Sequence, residues 1–220
     1  TSNKITFTRS GGTWYGIEYY NASASSQVSY SIIQNAQYGL RVINSNPSLS
    51  WSTIRYNTVR VQFDNNSFSY GGTLQGNIIE DNFDGVKCYQ YSDPAITPNN
   101  VIRYNIYNGV YGDATSVPTL GYYDITGHNS LYYNGTEVWS NYSGTISARY
   151  NWWGEANPTP NVSGNVDWSN YLNYDPNSGM GKVVAKGASP VSQDNAMTDG
   201  AADTLGMAEV NRAHKIFLDG

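Results

Sequence analysis

A short phrase returns along this chain at nearly constant intervals, and that interval limits the fold more than any other feature. Ile32-Ile33-Gln34-Asn35, Ile54-Arg55-Tyr56-Asn57, Ile79-Glu80-Asp81-Asn82 and Ile102-Arg103-Tyr104-Asn105 share the form Ile-x-x-Asn. Ile125 to Asn129 is a looser copy with one extra residue, and Ala148-Arg149-Tyr150-Asn151 carries alanine in the isoleucine place. The asparagines at 35, 57, 82, 105, 129 and 151 are spaced by 22, 25, 23, 24 and 22 residues. A period of that size belongs to solenoids rather than to ordinary globular domains.

Two architectures have such a period, the leucine-rich horseshoe and the parallel β-helix. Leucine is scarce here, and the apolar positions are mostly Val and Ile in short alternating runs: Gly39-Leu40-Arg41-Val42, Val59-Arg60-Val61, Gly85-Val86-Lys87-Cys88 and Gly109-Val110-Tyr111-Gly112. Alternation of this kind marks half-buried strands. A second strand precedes each phrase, at 28–32, 49–54, 74–79, 96–102 and 120–125, and nothing before Asn151 carries a helical period. The expectation is an all-β, right-handed parallel β-helix of about six to seven coils, over residues 1–176. Asn tolerates the left-handed backbone of a sharp corner, and amides stacked at the strand spacing can hydrogen-bond from coil to coil. Asn35, Asn57, Asn82 and Asn105 therefore read as a structural ladder that Asn129 and Asn151 continue.

Composition narrows the setting. The chain has 220 residues, a net charge of −5 and only 13% charged residues, with 20 tyrosines and 22 glycines. That balance argues against nucleic acid as a partner and favours a secreted or cell-surface protein. The single cysteine, Cys88, excludes an intramolecular disulfide and falls where an inward strand residue belongs. No apolar run reaches membrane-spanning length, so membrane insertion is not expected, and no signal peptide opens the chain, so the numbering is expected to begin on a mature or trimmed product. Ile5-Thr6-Phe7 and Trp14 to Tyr19 already alternate like strands with no cap before them. Earlier coils, or self-association through an uncapped end, are the expectation. At the other end Asn151-Trp152-Trp153-Gly154, Pro158, Pro160, Trp168, Tyr171 and Tyr174 read as a lid over the last coil. Residues 177–203 read as a linker and 204–220 as the start of a truncated helical segment.

Coils with Ile-x-x-Asn and Gly-Val strands, an opening Trp14-Tyr15-Gly16-Ile17 and a closing Asn-Trp-Trp-Gly resemble the secreted bacterial right-handed parallel β-helix repeat proteins, relatives in fold of pectate lyases. The resemblance spans roughly residues 5 to 176 and rests on structural motifs, so it carries over no catalytic residue. What it implies is the fold and a secreted, surface-associated setting.

Function is then sought on the outer faces. Aligning the Gly-Val strands stacks Glu18, Arg41, Arg60, Lys87 and Tyr111 in one outward column. Three consecutive cations at strand spacing repel one another. A groove for an acidic polysaccharide would account for them, with Arg41, Arg60 and Lys87 as cations and Tyr89, Tyr107 and Tyr111 for stacking on sugar rings. The plainer account is that the long side chains splay into solvent, neutralised by Glu18, Asp64 and Asp84. Arg55, Glu80 and Arg103 form a second column of alternating sign, an ordinary ion-pair ladder. An enzymatic alternative is a polysaccharide lyase with Lys87 as base and calcium, the one cofactor in view, held by Asp84 and Asp64. A hydrolase would use Asp81 and Asp84. No motif requires a cofactor, and His128 stands alone rather than in a metal-ligand set. The leading expectation is non-catalytic polysaccharide binding or a rigid surface spacer, with a lyase, a hydrolase or a structural subunit of an extracellular assembly as alternatives.

Overall fold

The computed structural model describes residues 4–23, 25–65, 67, 73–96, 98–123 and 126–180. Its repeats stack as a parallel β-solenoid of about six turns. Each turn gives one strand to a first sheet, one to a second and, in most turns, one to a third. The first sheet holds Ile5–Phe7, Ser31–Gln34, Thr53–Arg55, Ile78–Glu80, Val101–Arg103 and Ser130–Tyr132. The second holds Ile17–Tyr20, Tyr38–Ile43, Val59–Asp64, Val86–Cys88, Asn108–Gly112, Thr136–Ser140 and Val162–Ser163. The third holds Gln27–Ser29, Ser48–Ser50, Thr73–Gln75 and Ala95–Ile96. The long strands expected at 28–32, 49–54 and 74–79 are thus each two strands separated by a bend.

Like stacks on like in the interior. In the first sheet Ile33, Ile54, Ile79, Ile102 and Leu131 are direct partners in register, and in the second Leu40, Val61, Val86, Val110 and Val138 are. All ten are buried. Each contributes about 1.5–3 kcal/mol by leaving water, which is why a core one coil wide suffices. Cys88 lies beside Phe63 in the same interior and is fully buried; burial pushes its thiol pKa well above the ordinary value. A thiol reagent such as dithionitrobenzoate should label Cys88 at least about a hundredfold faster in denaturant than in the folded protein, and rapid native labelling would contradict this packing.

The corner between the first and second sheets follows one rule. A left-handed residue turns the chain, and the residue after it points inward. Tyr56, Asp81, Tyr104 and Tyr133 have φ of 54–59°, and the inward residues that follow are Asn57, Asn82, Asn105 and Asn134. The backbone N–H and the side-chain amide of each of the first three donate to Oδ1 of the next asparagine at 2.9–3.2 Å. The corner between the third and first sheets carries a second ladder, Ser52, Asn77, Asn100, Asn129 and Asn151. The third corner carries serines: Ser67 N–H donates to Ser92 and Ser92 N–H to Ser116.

The expected ladder is therefore corrected in membership. Asn129 and Asn151 belong to the second ladder, not to the one containing Asn57, Asn82 and Asn105. Asn35 belongs to neither: it is the left-handed residue of its corner (φ 57°), and Ala36 takes the rung, donating its N–H to Asn57 Oδ1. The first copy of the phrase is one residue out of register, because Ile33 rather than Ile32 pairs with Ile54. Leu131-Tyr132-Tyr133-Asn134 is the copy that leucine disguised. The register also explains the recurring Arg-Tyr-Asn. Arg55, Arg103 and Arg149 face outward and lie over the rings of Tyr56, Tyr104 and Tyr150, 5.1–5.5 Å from the centroids. Such contacts help offset the cost of a left-handed tyrosine.

The closing segment caps the core from the end and then returns along the side. Trp153 joins the main core cluster. The Leu172 N–H donates to the Asn151 carbonyl, and Ser130 Oγ donates to Asp175. Asn177 Nδ2 donates to the His128 carbonyl at 2.9 Å and to Ser130 Oγ at 3.0 Å, so the attachment runs past Pro176. Most of the expected linker, from 181 onward, and the expected helix at 204–220 lie outside the described residues.

Candidate functional site

Of the three outer faces, the third sheet offers mainly small polar groups, with Ser48, Ser50, Thr73 and Gln75 alternating with inward leucines. On the first sheet the outward row Gln34, Arg55, Glu80, Arg103 and Tyr132 is occupied by its own bonds. Arg55 Nε donates to Gln34, Arg103 Nη2 lies 2.7 Å from Glu80, and Arg103 Nη1 donates to the Tyr132 hydroxyl. The expected alternation of charge there holds for Glu80 and Arg103 as an ion pair, and the closing segment is bonded to Ser130 alongside.

The second sheet carries the groups of the predicted basic column, with a change. Its outward row reads Glu18, Arg41, Gln62, Lys87, Tyr111, Trp139 and Ser163. Gln62 stands where Arg60 was expected. The strand starts earlier than the Gly-Val pattern implied, so Arg60 falls in the neighbouring row of Gly39, Gly85, Gly109 and Glu137. Its side chain lies outside the described residues.

The two remaining cations are matched by carboxylates. Arg41 Nη1 lies 3.2 Å from Glu18, and its Nε lies 3.5 Å from Asp64. Partial burial works against its charge, but Tyr15, Asp64, Tyr38 and Glu18 together hold its pKa above the ordinary value. Lys87 Nζ is 3.4 Å from Asp84 Oδ2, with side chains 4% and 1% exposed. Asp84 Oδ1 also accepts from Asn108 Nδ2 at 2.8 Å. Lys87 and Asp84, the residues named for lyase chemistry, thus form a buried pair under the surface, out of contact with a polymer lying on the face. Asp64 and Asp84, the expected calcium ligands, are engaged with Arg41 and Gln62 and with Lys87 and Asn108 respectively. Among the described residues no three His, Cys, Asp or Glu side chains come together as a metal set.

What covers Lys87 is aromatic. Its Nζ lies 5.1 Å from the Tyr111 ring centroid and 5.9 Å from that of Tyr89. Tyr89 and Tyr111 are 5.6 Å apart, and Trp139 meets Tyr111 edge-on at 6.0 Å. Asn141 locks the outer two: Trp139 Nε1 donates to its Oδ1 at 3.0 Å, and its Nδ2 donates to the Tyr111 hydroxyl at 2.9 Å. Trp139 is 40% exposed. The result is a stepped shelf of three rings from successive coils, tilted 53° between Tyr89 and Tyr111 and 82° between Tyr111 and Trp139, its polar edge formed by Asn141 and by Asp113, which is bonded to the Cys88 carbonyl through its N–H. Partial burial opposes the charge of Asp113, but hydrogen bonds from Gln90 and Thr115 keep its carboxyl pKa below the ordinary value. Tyr107, also expected to stack on sugar, packs instead against Phe83 at 4.9 Å on the loop leading into this sheet.

Of the residues the sequence singled out, the structure brings Lys87, Tyr89 and Tyr111 together, with Lys87 buried rather than exposed, and adds Trp139 and Asn141, which the sequence reading did not name. The available signal was Glu137-Val138-Trp139, which aligns with Gly109-Val110-Tyr111 once glutamate is allowed in the glycine place. That glutamate is itself notable. Asn134 Nδ2 donates to Glu137 Oε2 at 2.6 Å, so the carboxyl ends the first ladder where a further asparagine would otherwise stand. Burial pushes its pKa up to about 7, against hydrogen bonds from the side chain and N–H of Asn134 and the N–H of Tyr133.

Comparison of the chain with protein-family models, with curated proteins and with solved structures found no match. The functional reading therefore rests on the geometry of the face.

Proposed function

We propose that this is an extracellular or cell-surface protein that binds polysaccharide without cleaving it, across the Tyr89, Tyr111 and Trp139 shelf. The observation that carries the reading is the locking of Trp139 and Tyr111 by the two ends of one amide, Asn141. Flat apolar rings beside fixed hydrogen-bonding groups suit a sugar ring, which has an apolar face and a polar rim. Rings held before the ligand arrives lose little freedom on binding. Lys87 and Asp84 support this shelf from below, which favours binding over lyase chemistry. A low content of charged residues and the exposed tyrosines of the corners agree with a surface that works outside the cell.

Native gels cast with a panel of polysaccharides test the proposal through retarded migration. Trp139→Ala is expected to lower affinity for the retarding polymer about tenfold, or ~1.4 kcal/mol, while lowering folding stability by no more than ~1 kcal/mol. Unchanged retardation in that variant would place the site elsewhere. Loss of polymer staining in the gel would show cleavage and overturn the non-catalytic reading. Normal migration in every polymer would favour the rigid-spacer alternative.

A further inference from the structure

We infer that the polysaccharide taken by this shelf is uncharged and lies along the solenoid axis, an inference that rests on the binding reading above. Direction comes from the register. Tyr111 and Trp139 are direct partners in adjacent coils, and Lys87, the next partner down, places Tyr89 beside them. The rings therefore succeed one another across the strands, at centroid spacings of 5.6 and 6.0 Å, and a chain touching all three runs from coil to coil.

Charge follows from what reaches the surface. The cation of the shelf, Lys87, is 3% exposed, sealed under Tyr89 and Tyr111 and paired with Asp84. It cannot meet a ligand carboxylate without lifting the rings that would bind the sugar. The charged group left at the edge is an anion. Asp113 lies on the same face as Tyr111 two residues on, next to Asn141, whose N–H bonds the Gly112 carbonyl. Both Asp113 oxygens accept local hydrogen bonds, Oδ2 from Gln90 N–H at 2.9 Å and Oδ1 from Thr115 N–H and hydroxyl at 2.8 Å, so the charge is fixed in place. Along the outward row toward the first coils the next cation, Arg41, is held between Glu18 and Asp64. A uronate or sulfate on the polymer would meet a fixed negative charge with no unpaired cation in this outward row among the described residues to answer it. A neutral sugar meets only rings, the Asn141 amide and acceptor oxygens.

The test pairs polymers that share a backbone and differ in charge: polygalacturonate with its methyl ester, and carboxymethylcellulose with hydroxyethylcellulose, each cast in native gels at low and moderate salt. The expected result is affinity about tenfold higher for the uncharged member of whichever pair retards the protein, a gap that narrows as salt screens the repulsion. Trp139→Ala and Tyr89→Ala should each weaken that retardation, because a chain along the axis crosses both rings. Equal or tighter binding of the charged member overturns the inference and leaves polysaccharide binding standing. Sensitivity to only one ring overturns the axial path. Retardation by none of these polymers, or by the wider panel, overturns the binding reading and the inference with it.

Discussion

Asn105→Ala should remove about 2–4 kcal/mol of folding stability, read as a shift in the urea midpoint. The Asn105 side chain accepts from the N–H and the amide of Asn82 and donates to the Ile79 carbonyl and to Asn134 Oδ1. Alanine leaves the Asn82 N–H in the dry interior with nothing to bond and takes the side-chain donor from the Ile79 carbonyl, while the Asn82 amide keeps the Ile54 carbonyl and Asn134 Oδ1 keeps the backbone N–H of residue 105. A buried donor left unpaired costs about 1–3 kcal/mol, and groups that keep another partner lose less. Against a total of about 5–15 kcal/mol, that is a sizeable share of what holds the fold together. Asn35→Ala is the control. Asn35 lies outside both ladders and donates only to Thr8 at an exposed site, so its loss should cost about 1 kcal/mol, mostly from putting alanine at a left-handed φ. Equal effects at the two positions would mean that the ladder does not carry the corner.

Glu137→Gln should do the opposite, raising stability by about 3 kcal/mol at pH 8 and by almost nothing at pH 4. The folded carboxyl titrates at about 7 against an ordinary value of 4.5, so between those values the folded protein keeps a proton that the unfolded chain releases. Its contribution is therefore fully present below pH 4.5 and is lost as pH rises through 7, at about 1.36 kcal/mol for each pH unit that separates the two values. Burial is the cause, and no charged partner contributes. Glutamine keeps an oxygen for Asn134 Nδ2 and has no proton to lose. Thermal unfolding from pH 4 to 8 reads the difference as a wild-type midpoint that falls by roughly 6–12 °C while the variant's does not. Parallel profiles would show that Glu137 is hydrated or otherwise compensated.

The solenoid was legible because its cause is periodic. Apolar residues that must stack on their counterparts one turn away leave a repeat in the sequence, and Ile54, Ile79 and Ile102 mark it directly. Corner assignment was less legible, because two corners per turn use asparagine and one period cannot tell them apart. Asn129 and Asn105 differ in which corner they occupy, a distinction set by the strand lengths between them. The outer face was the least legible. Arg60 and Gln62 are equally plausible outward residues until the register is known, and Lys87 reads as an exposed cation until Tyr89 and Tyr111 are placed over it. Surface function here depends on neighbours roughly 25 residues apart that no local pattern connects.

Both asparagine ladders point the same way. Asn57, Asn82 and Asn105 in one ladder and Asn77, Asn100 and Asn129 in the other each donate the backbone N–H and the side-chain amide to the coil above and offer the side-chain oxygen to the coil below, so the top of one such turn and the bottom of the next are the same socket and plug. A turn is therefore an exchangeable cartridge. Duplicating one between Asn82 and Asn105 would lengthen the protein by a single strand spacing of about 4.8 Å without altering either neighbour's corner. The same step would add one more outward position to the shelf. Under the proposed binding reading, such a protein would change the length of polymer it grips in whole units, by gaining or losing turns, with no redesign of its interior.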